Sequence, residues 1–185
     1  MLTRKEALIL VKKNVAKRNF VYHMLAVEAI MKSVAKHFGE DGHLWGLTGL
    51  LHDIDYGKTE NTPEKHALLA EEILKDFVLP NELVRAIKAH NYQYTDIKPE
   101  TKMEKALIAC DAISGLLVAC ALVMPSKKLA DVNVKTVTKK FKDKDFARGV
   151  DRERILFCEE IGIPREKFFE IALDGLKNIS SEIGL

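Results

Sequence analysis

The chemistry of this sequence centres on an adjacent pair, His52 and Asp53, in the stretch Leu47 to Lys58 (Leu-Thr-Gly-Leu-Leu-His-Asp-Ile-Asp-Tyr-Gly-Lys). An apolar helical pattern runs into the pair, and a polar loop follows it. A neutral imidazole and a carboxylate at a helix end are two good ligands for a divalent metal. Neighbours on a helix point about 100° apart, yet at a fraying end both can turn to one point. Alone, the pair reads equally well as a helix end with a histidine near the negative pole of the dipole. Four more residues change the balance: His23, His66, His90 and Asp111. Each lies on an apolar stripe or at a helix end, and with the pair they come from five helices. Singly, each histidine reads as a hydrogen-bonded core residue. Together, and with Asp111 isolated in an apolar helix, that account requires several costly burials at once. A metal explains them with one cause. His37 and His43 do not fit the same centre. His37 is about 21 Å along the helix from His23, and His43 about 13 Å from His52, at 1.5 Å per residue. Both read as surface residues or local caps.

The elements that must position these groups are helical throughout, and no segment alternates as a strand does. The chain has 185 residues, enough for one domain with a sizeable core. Thr3 can cap a first helix to about Lys17. A second runs from Asn19 to Gly39, a good terminating residue, and its stripe of Val27, Ile30 and Val34 turns His23 inward. A third covers His43 to His52. Thr62 and Pro63 read as cap and first residue of a fourth, with His66 in its first turn, in line with Leu69, Ala70, Ile73 and Phe77. Pro80 opens a fifth that leads to His90, and Tyr92 to Glu100 reads as a loop. Ala106 to Met124 is long and apolar enough to raise a membrane span, but an aspartate at its centre costs about 2.5–3.5 kcal/mol on insertion scales. A buried bundle helix is expected instead, in which Asp111 needs a strong partner and Ser114 and Gly115 leave space beside it. Pro125 stops that helix. The rest reads as helices over Val134 to Phe141, Asp151 to Ile161 and Pro164 to Ile183, with Lys139 to Val150 a charged loop. The expected fold is all-α, a single-domain helical bundle over residues 1–185.

Composition narrows the function classes. Net charge is only +2, although the first 18 residues and Lys127 to Arg154 are basic. No RNA- or DNA-binding motif and no aromatic interleaving is evident, so no stable nucleic-acid complex is expected. The N-terminus does not read as a signal peptide. Cys110 and Cys120 share one expected helix, roughly 15 Å apart, and cannot pair while it is helical. Buried free thiols and a cytoplasmic location are expected.

The order His, His-Asp, Asp in an all-helical chain resembles the HD superfamily of metal-dependent phosphohydrolases. Gly-Leu-Leu-His-Asp-Ile-Asp is the specific match, and the resemblance covers about residues 20 to 122. The part from 126 to 185 is a helical extension that looks like that of predicted HD hydrolases with no assigned substrate. Members with two extra histidines, here His66 and His90, resemble dinuclear enzymes. By that resemblance His23, His52, Asp53 and Asp111 hold one metal, and His66 and His90 hold a second with Asp53 bridging. Many relatives carry His-Asp-Ile-Gly-Lys; this chain carries His-Asp-Ile-Asp-Tyr-Gly-Lys, two residues longer.

A mixed imidazole and carboxylate shell suits Mn, Fe, Co, Ni or Zn better than Mg or Ca. Two such ions about 3.5–4 Å apart lower the pKa of bound water and clamp a phosphate in line. The expected activity is hydrolysis of a nucleotide-like phosphomonoester or phosphodiester by metal-activated water, with Asp53 and Lys58 as catalytic residues. Lys58 would hold a phosphate oxygen; Lys127 and Lys128, on a turn after Pro125, are further candidates for the phosphate. Asp55 is either an acceptor that orients a ligand histidine or a turn residue, and the turn reading is adopted. Two other readings stand beside it: a di-iron oxygenase of the HD superfamily, which keeps the ligands and changes the reaction, and, from a different class, a non-catalytic sensor that binds a phosphorylated metabolite. Substrate identity and oligomeric state have no readable code, because the pocket depends on loops 54–62, 92–100 and 125–133.

Overall fold

The computed structural model describes residues 2–185, and no strand occurs among them. Thr3 and Glu6 form a reciprocal cap that starts α1 (Arg4–Asn14). α2 (Arg18–Phe38) ends at Gly39, whose φ of 70° lies in the left-handed region glycine tolerates. Asp41 accepts from the His43 and Leu44 N–H groups to open α3 (Gly42–Leu51). Short helices α4 (Tyr56–Thr59) and α5 (Leu68–Leu74) follow, then α6 (Asn81–His90) after Pro80 and α7 (Tyr92–Thr95). A second reciprocal cap, Thr101 with Glu104, starts α8 (Lys102–Leu122). The remainder is a 3-10 turn at Leu129–Asp131 and helices α9 (Val134–Lys142), α10 (Arg152–Ile155), α11 (Phe157–Glu160), α12 (Arg165–Lys177) and α13 (Ser180–Ile183).

α8 is the axis of the bundle. Leu107, Cys110, Ile113, Leu117 and Cys120 on it are fully buried, under α2, α6, α9, α10, α11 and α12. Its length and composition would allow it to cross a membrane, but here it forms the core. The three cysteines are free and buried, as expected. Packing of α3 on α2 is unusually close. A Cβ at Gly49 would stand 2.9 Å from the Val27 carbonyl oxygen and 3.0 Å from Glu28 backbone atoms. Only glycine lets the two backbones meet there. The contact sets the end of α3, with His52, beside the start of α2, with His23.

The expected fourth helix is the main departure. Residues 60–67 form turns, and Thr62 caps nothing. Ala67 takes a φ of 71°, and its N–H and that of Ala70 donate to the Asp55 carboxylate at 2.8 and 3.2 Å. A distant aspartate therefore caps α5, so the helix starts at Leu68 and His66 precedes it. Phe77 is partly exposed rather than on a buried stripe. Other boundaries also move. α1 stops at Asn14, α7 lies in the expected 92–100 loop, Leu156 separates α10 from α11, and residues 178–179 separate α12 from α13.

Candidate metal centre

All six sequence-predicted ligands meet at one point between α2, α3, the turn before α5, α6 and α8. His23 Nε2 lies 3.2 Å from Asp111 Oδ1 and 3.5 Å from Asp53 Oδ2. His52 Nε2 lies 3.5 Å from Asp53 Oδ1 and 3.8 Å from Asp111 Oδ1. On the other side, His66 and His90 Nε2 lie 3.2 and 3.5 Å from Asp53 Oδ1, and 3.0 Å from each other. Asp53 touches all four imidazoles.

The outer nitrogen of each ring is already engaged. His52 Nδ1 is 2.8 Å from the Gly49 carbonyl, and His90 Nδ1 bonds the Ile87 carbonyl. Carbonyls only accept, so both Nδ1 atoms carry the proton. His66 Nδ1 is 2.9 Å from Asp55 Oδ1. Ser114 donates its hydroxyl to the Asp111 carbonyl at 2.8 Å and faces His23 Nδ1 at 3.1 Å, so it accepts the His23 proton. In the neutral rings, four unprotonated Nε2 atoms then point inward together with two carboxylates. His52 Nε2 is fully buried and has no hydrogen-bond partner. With the rings neutral, an orphaned lone pair and two facing acceptors at 3.0 Å are unfavourable unless a cation, a proton or a metal ion, lies among them. Two donor sets are close enough to hold one: His23, His52 and Asp111, and His52, Asp53 and His90. The residues fit a divalent metal.

Electrostatics agree. Burial works against charge on Asp53, yet His52, His66 and His90 outweigh it and hold the carboxyl well below the usual range. Burial also opposes charge on Asp111, where His23, His52 and Arg154 outweigh it and the pKa again falls well below normal. For His66, burial pulls the pKa down, but Asp53 and Asp55 raise it to about 10. Burial and the neighbouring imidazoles lower His90. A field that holds a proton this firmly on a buried imidazole favours a cation in its place.

The centre opens into a cleft of about 520 Å³, also lined by Asn19, Tyr56, Asn91 and Arg154. An apolar hollow of about 360 Å³ adjoins it through Asn19 and His23, walled by Tyr22, Ala26 and Val118. His37 and His43 are exposed and away from the cleft, as expected.

Three expected phosphate-binding residues are not brought to the site. Lys58 is exposed, with its ammonium 3.3 Å from Asn14 Oδ1, and it does not line the cleft. Of the two extra loop residues, Asp55 precedes α4 and Tyr56 opens it and faces the cleft; Lys58, two positions on, points about 200° away. Lys127 and Lys128 are exposed on the turn after α8 and do not line the cleft either. Asp55 is fully buried and orients His66 rather than serving as a simple turn residue. Its acceptor role was available in the sequence. Arg154 was not legible, since nothing separates it from Arg148 and Arg152 in the same basic stretch. Its Nη2 lies 2.9 Å from Asp111 Oδ2 and 2.9 Å from the His90 carbonyl. Asn91 donates to the Pro63 and His66 carbonyls at 2.9 and 3.0 Å, pinning the turn that carries His66.

An all-α bundle with inward histidines paired to a His-Asp dyad and a later aspartate defines a class of metal-binding helical domains. Residues 20–116, just over half of the chain, match the HD domain, and the protein belongs to that family, whose members are generally metal-dependent hydrolases. The chain is 31% identical over 98 residues to Ribonuclease Y of Desulfotalea psychrophila, covering 53% of this chain and 18% of that one. It is 32% identical over 98 residues to Ribonuclease Y of Lawsonia intracellularis and of Chloroflexus aurantiacus, covering 18% and 19% of those proteins. The match thus spans less than a fifth of these curated relatives. No solved structure matches.

Proposed function

We propose that this protein is a divalent-metal-dependent phosphohydrolase acting on a nucleotide-like phosphomonoester or phosphodiester. The observation that carries this reading is the convergence of four Nε2 atoms and two carboxylates, with every Nδ1 engaged from outside. His23, His52, Asp53 and Asp111 would hold one ion, and His66, His90 and Asp53 a second. Bound ions of this kind supply an activated water at neutral pH and charge compensation for a phosphoryl group. The chain's own part is to orient and exclude. Asp55, Ser114 and the Gly49 and Ile87 carbonyls lock the ring orientations, which raises ligand basicity and fixes the tautomers. Tyr56 and Asn91 border the cleft where a phosphate would enter. The apolar hollow beside His23 is suited to the organic part of the ester. The relatives' name, Ribonuclease Y, is consistent with phosphodiester chemistry.

The test is elemental analysis of the purified protein, followed by a phosphomonoester and phosphodiester panel with the metal found. We expect Mn, Fe, Co, Ni or Zn at close to two per chain and turnover of at least one nucleotide. Asp53→Ala should lose both metal and turnover. Full activity in that variant would sink the assignment.

A further inference from the structure

Arg154 is the one permanently cationic side chain lining the metal cleft among the described residues. It enters from α10, beyond the matched HD segment 20–116. Its bonds to the protein all run through Nη2, to Asp111 Oδ2 and the His90 carbonyl, and Nε is buried with no partner. Asp111 engages only that one nitrogen of the guanidinium, through Oδ2, while its Oδ1 faces His23 and His52 Nε2 at 3.2 and 3.8 Å. Arg154 also lines a second hollow of about 240 Å³, which shares His23 and Asp111 with the cleft and is completed by Gly115, Gly149 and Val150. The Asp151 carboxylate in that hollow is engaged as the cap of α10, accepting from Glu153 N–H at 2.9 Å.

A guanidinium offers five N–H groups in a planar fork that matches two phosphate oxygens. Here one nitrogen anchors the fork to two ligand-bearing elements and leaves Nη1 without a protein partner. We infer that Arg154 is the anion clamp of this site, binding a non-bridging oxygen of the substrate's phosphate next to Asp111, which would hold a metal. The C-terminal extension would thus supply the cation that Lys58, Lys127 and Lys128 do not. This inference rests on the phosphohydrolase reading for its substrate, but its test does not depend on turnover.

Metal-loaded wild type, Arg154→Lys and Arg154→Gln are titrated with inorganic phosphate by calorimetry, with metal content measured on the same samples. We expect metal content to be retained, since Asp111 keeps its histidine contacts. Phosphate affinity should fall at least tenfold in Arg154→Gln and by a smaller factor in Arg154→Lys, which keeps the charge but loses the fork. In an active preparation KM should rise with little change in kcat. Arg154-dependent phosphate binding without hydrolysis of any ester would support the clamp while defeating the hydrolase reading. The clamp is overturned if wild type binds no phosphate, if Arg154→Gln binds it as tightly as wild type, or if both variants lose metal. The last result would make Arg154 a positioning residue for Asp111 only.

Discussion

His66 and His90 present their Nε2 atoms to each other at 3.0 Å, while the far side of each ring is tied down, His66 to Asp55 and His90 to the Ile87 carbonyl. Neither ring can relieve the contact by turning. Asp55 is the key to the His66 half, because its second oxygen also caps α5 through the Ala67 and Ala70 N–H groups. One carboxylate therefore couples the orientation of the His66 ring to the start of a helix. Asp55→Asn should keep an oxygen toward His66 but turn an amide NH2 against two N–H donors. We expect a stability loss of about 1–3 kcal/mol from the unsatisfied groups and metal affinity about 10–100-fold weaker. Chemical denaturation and metal titration measure the two effects; native metal affinity in the variant would remove Asp55 from the site.

Gly49 acts on the other half. It lets α3 approach α2 and also offers the carbonyl that orients His52. In Gly49→Ala the methyl would stand within 3.0 Å of Val27 and Glu28 backbone atoms, which cannot yield as a flexible side chain can. Overpacking of this kind costs about 1–3 kcal/mol. Separating α3 from α2 also separates His52 from His23, so metal affinity should fall along with melting temperature. Loss of stability with unchanged metal affinity would show that the helix contact does not set the ligand geometry.

Lys58 should be dispensable for the chemistry. Its ammonium contacts Asn14 on α1 and is exposed to solvent. Lys58→Ala is expected to leave kcat and KM within about twofold of wild type and to change stability by under about 0.5 kcal/mol, as exposed positions usually do. A tenfold drop in kcat would return Lys58 to the site.

Much of this architecture was legible because it rests on local rules. The Thr3 cap, Gly39 and the inward stripe of α2 follow from propensity and period, and the candidate ligands stood out because each broke an apolar pattern. The region from 54 to 67 was not legible. There the backbone is organised by Asp55 reaching across to Ala67 and Ala70, and Ala67 accepts a left-handed φ that its residue type does not advertise. Arg154 was hidden for a similar reason. Its role depends on α10 packing against α8 across 43 residues of chain, a relationship without a periodic signal.

The N-terminus of α8 carries a pH-dependent support for the same helix that holds Asp111. Glu104 is almost fully buried, bonds Arg85, and accepts from the Glu100 and Thr101 N–H groups at 2.7 and 3.0 Å. Burial pushes its pKa up, but Arg85 and the two N–H groups outweigh that and hold it below the usual 4.5. The folded state thus prefers the ionised form. This contribution is complete above about pH 4.5 and is lost as pH falls through the depressed folded value. Glu104→Gln removes the charge at every pH. It should lower stability at pH 7 by about 1.5–3 kcal/mol, the range for hydrogen bonds to a charged group. The gap from wild type should narrow as both are acidified below 4.5. Melting curves between pH 3 and 7, recorded on metal-free protein to keep ligand protonation from dominating through metal release, test this. A gap that stays constant across that range would mean the Glu104 charge does not contribute, leaving the Thr101 hydroxyl as the effective cap of α8.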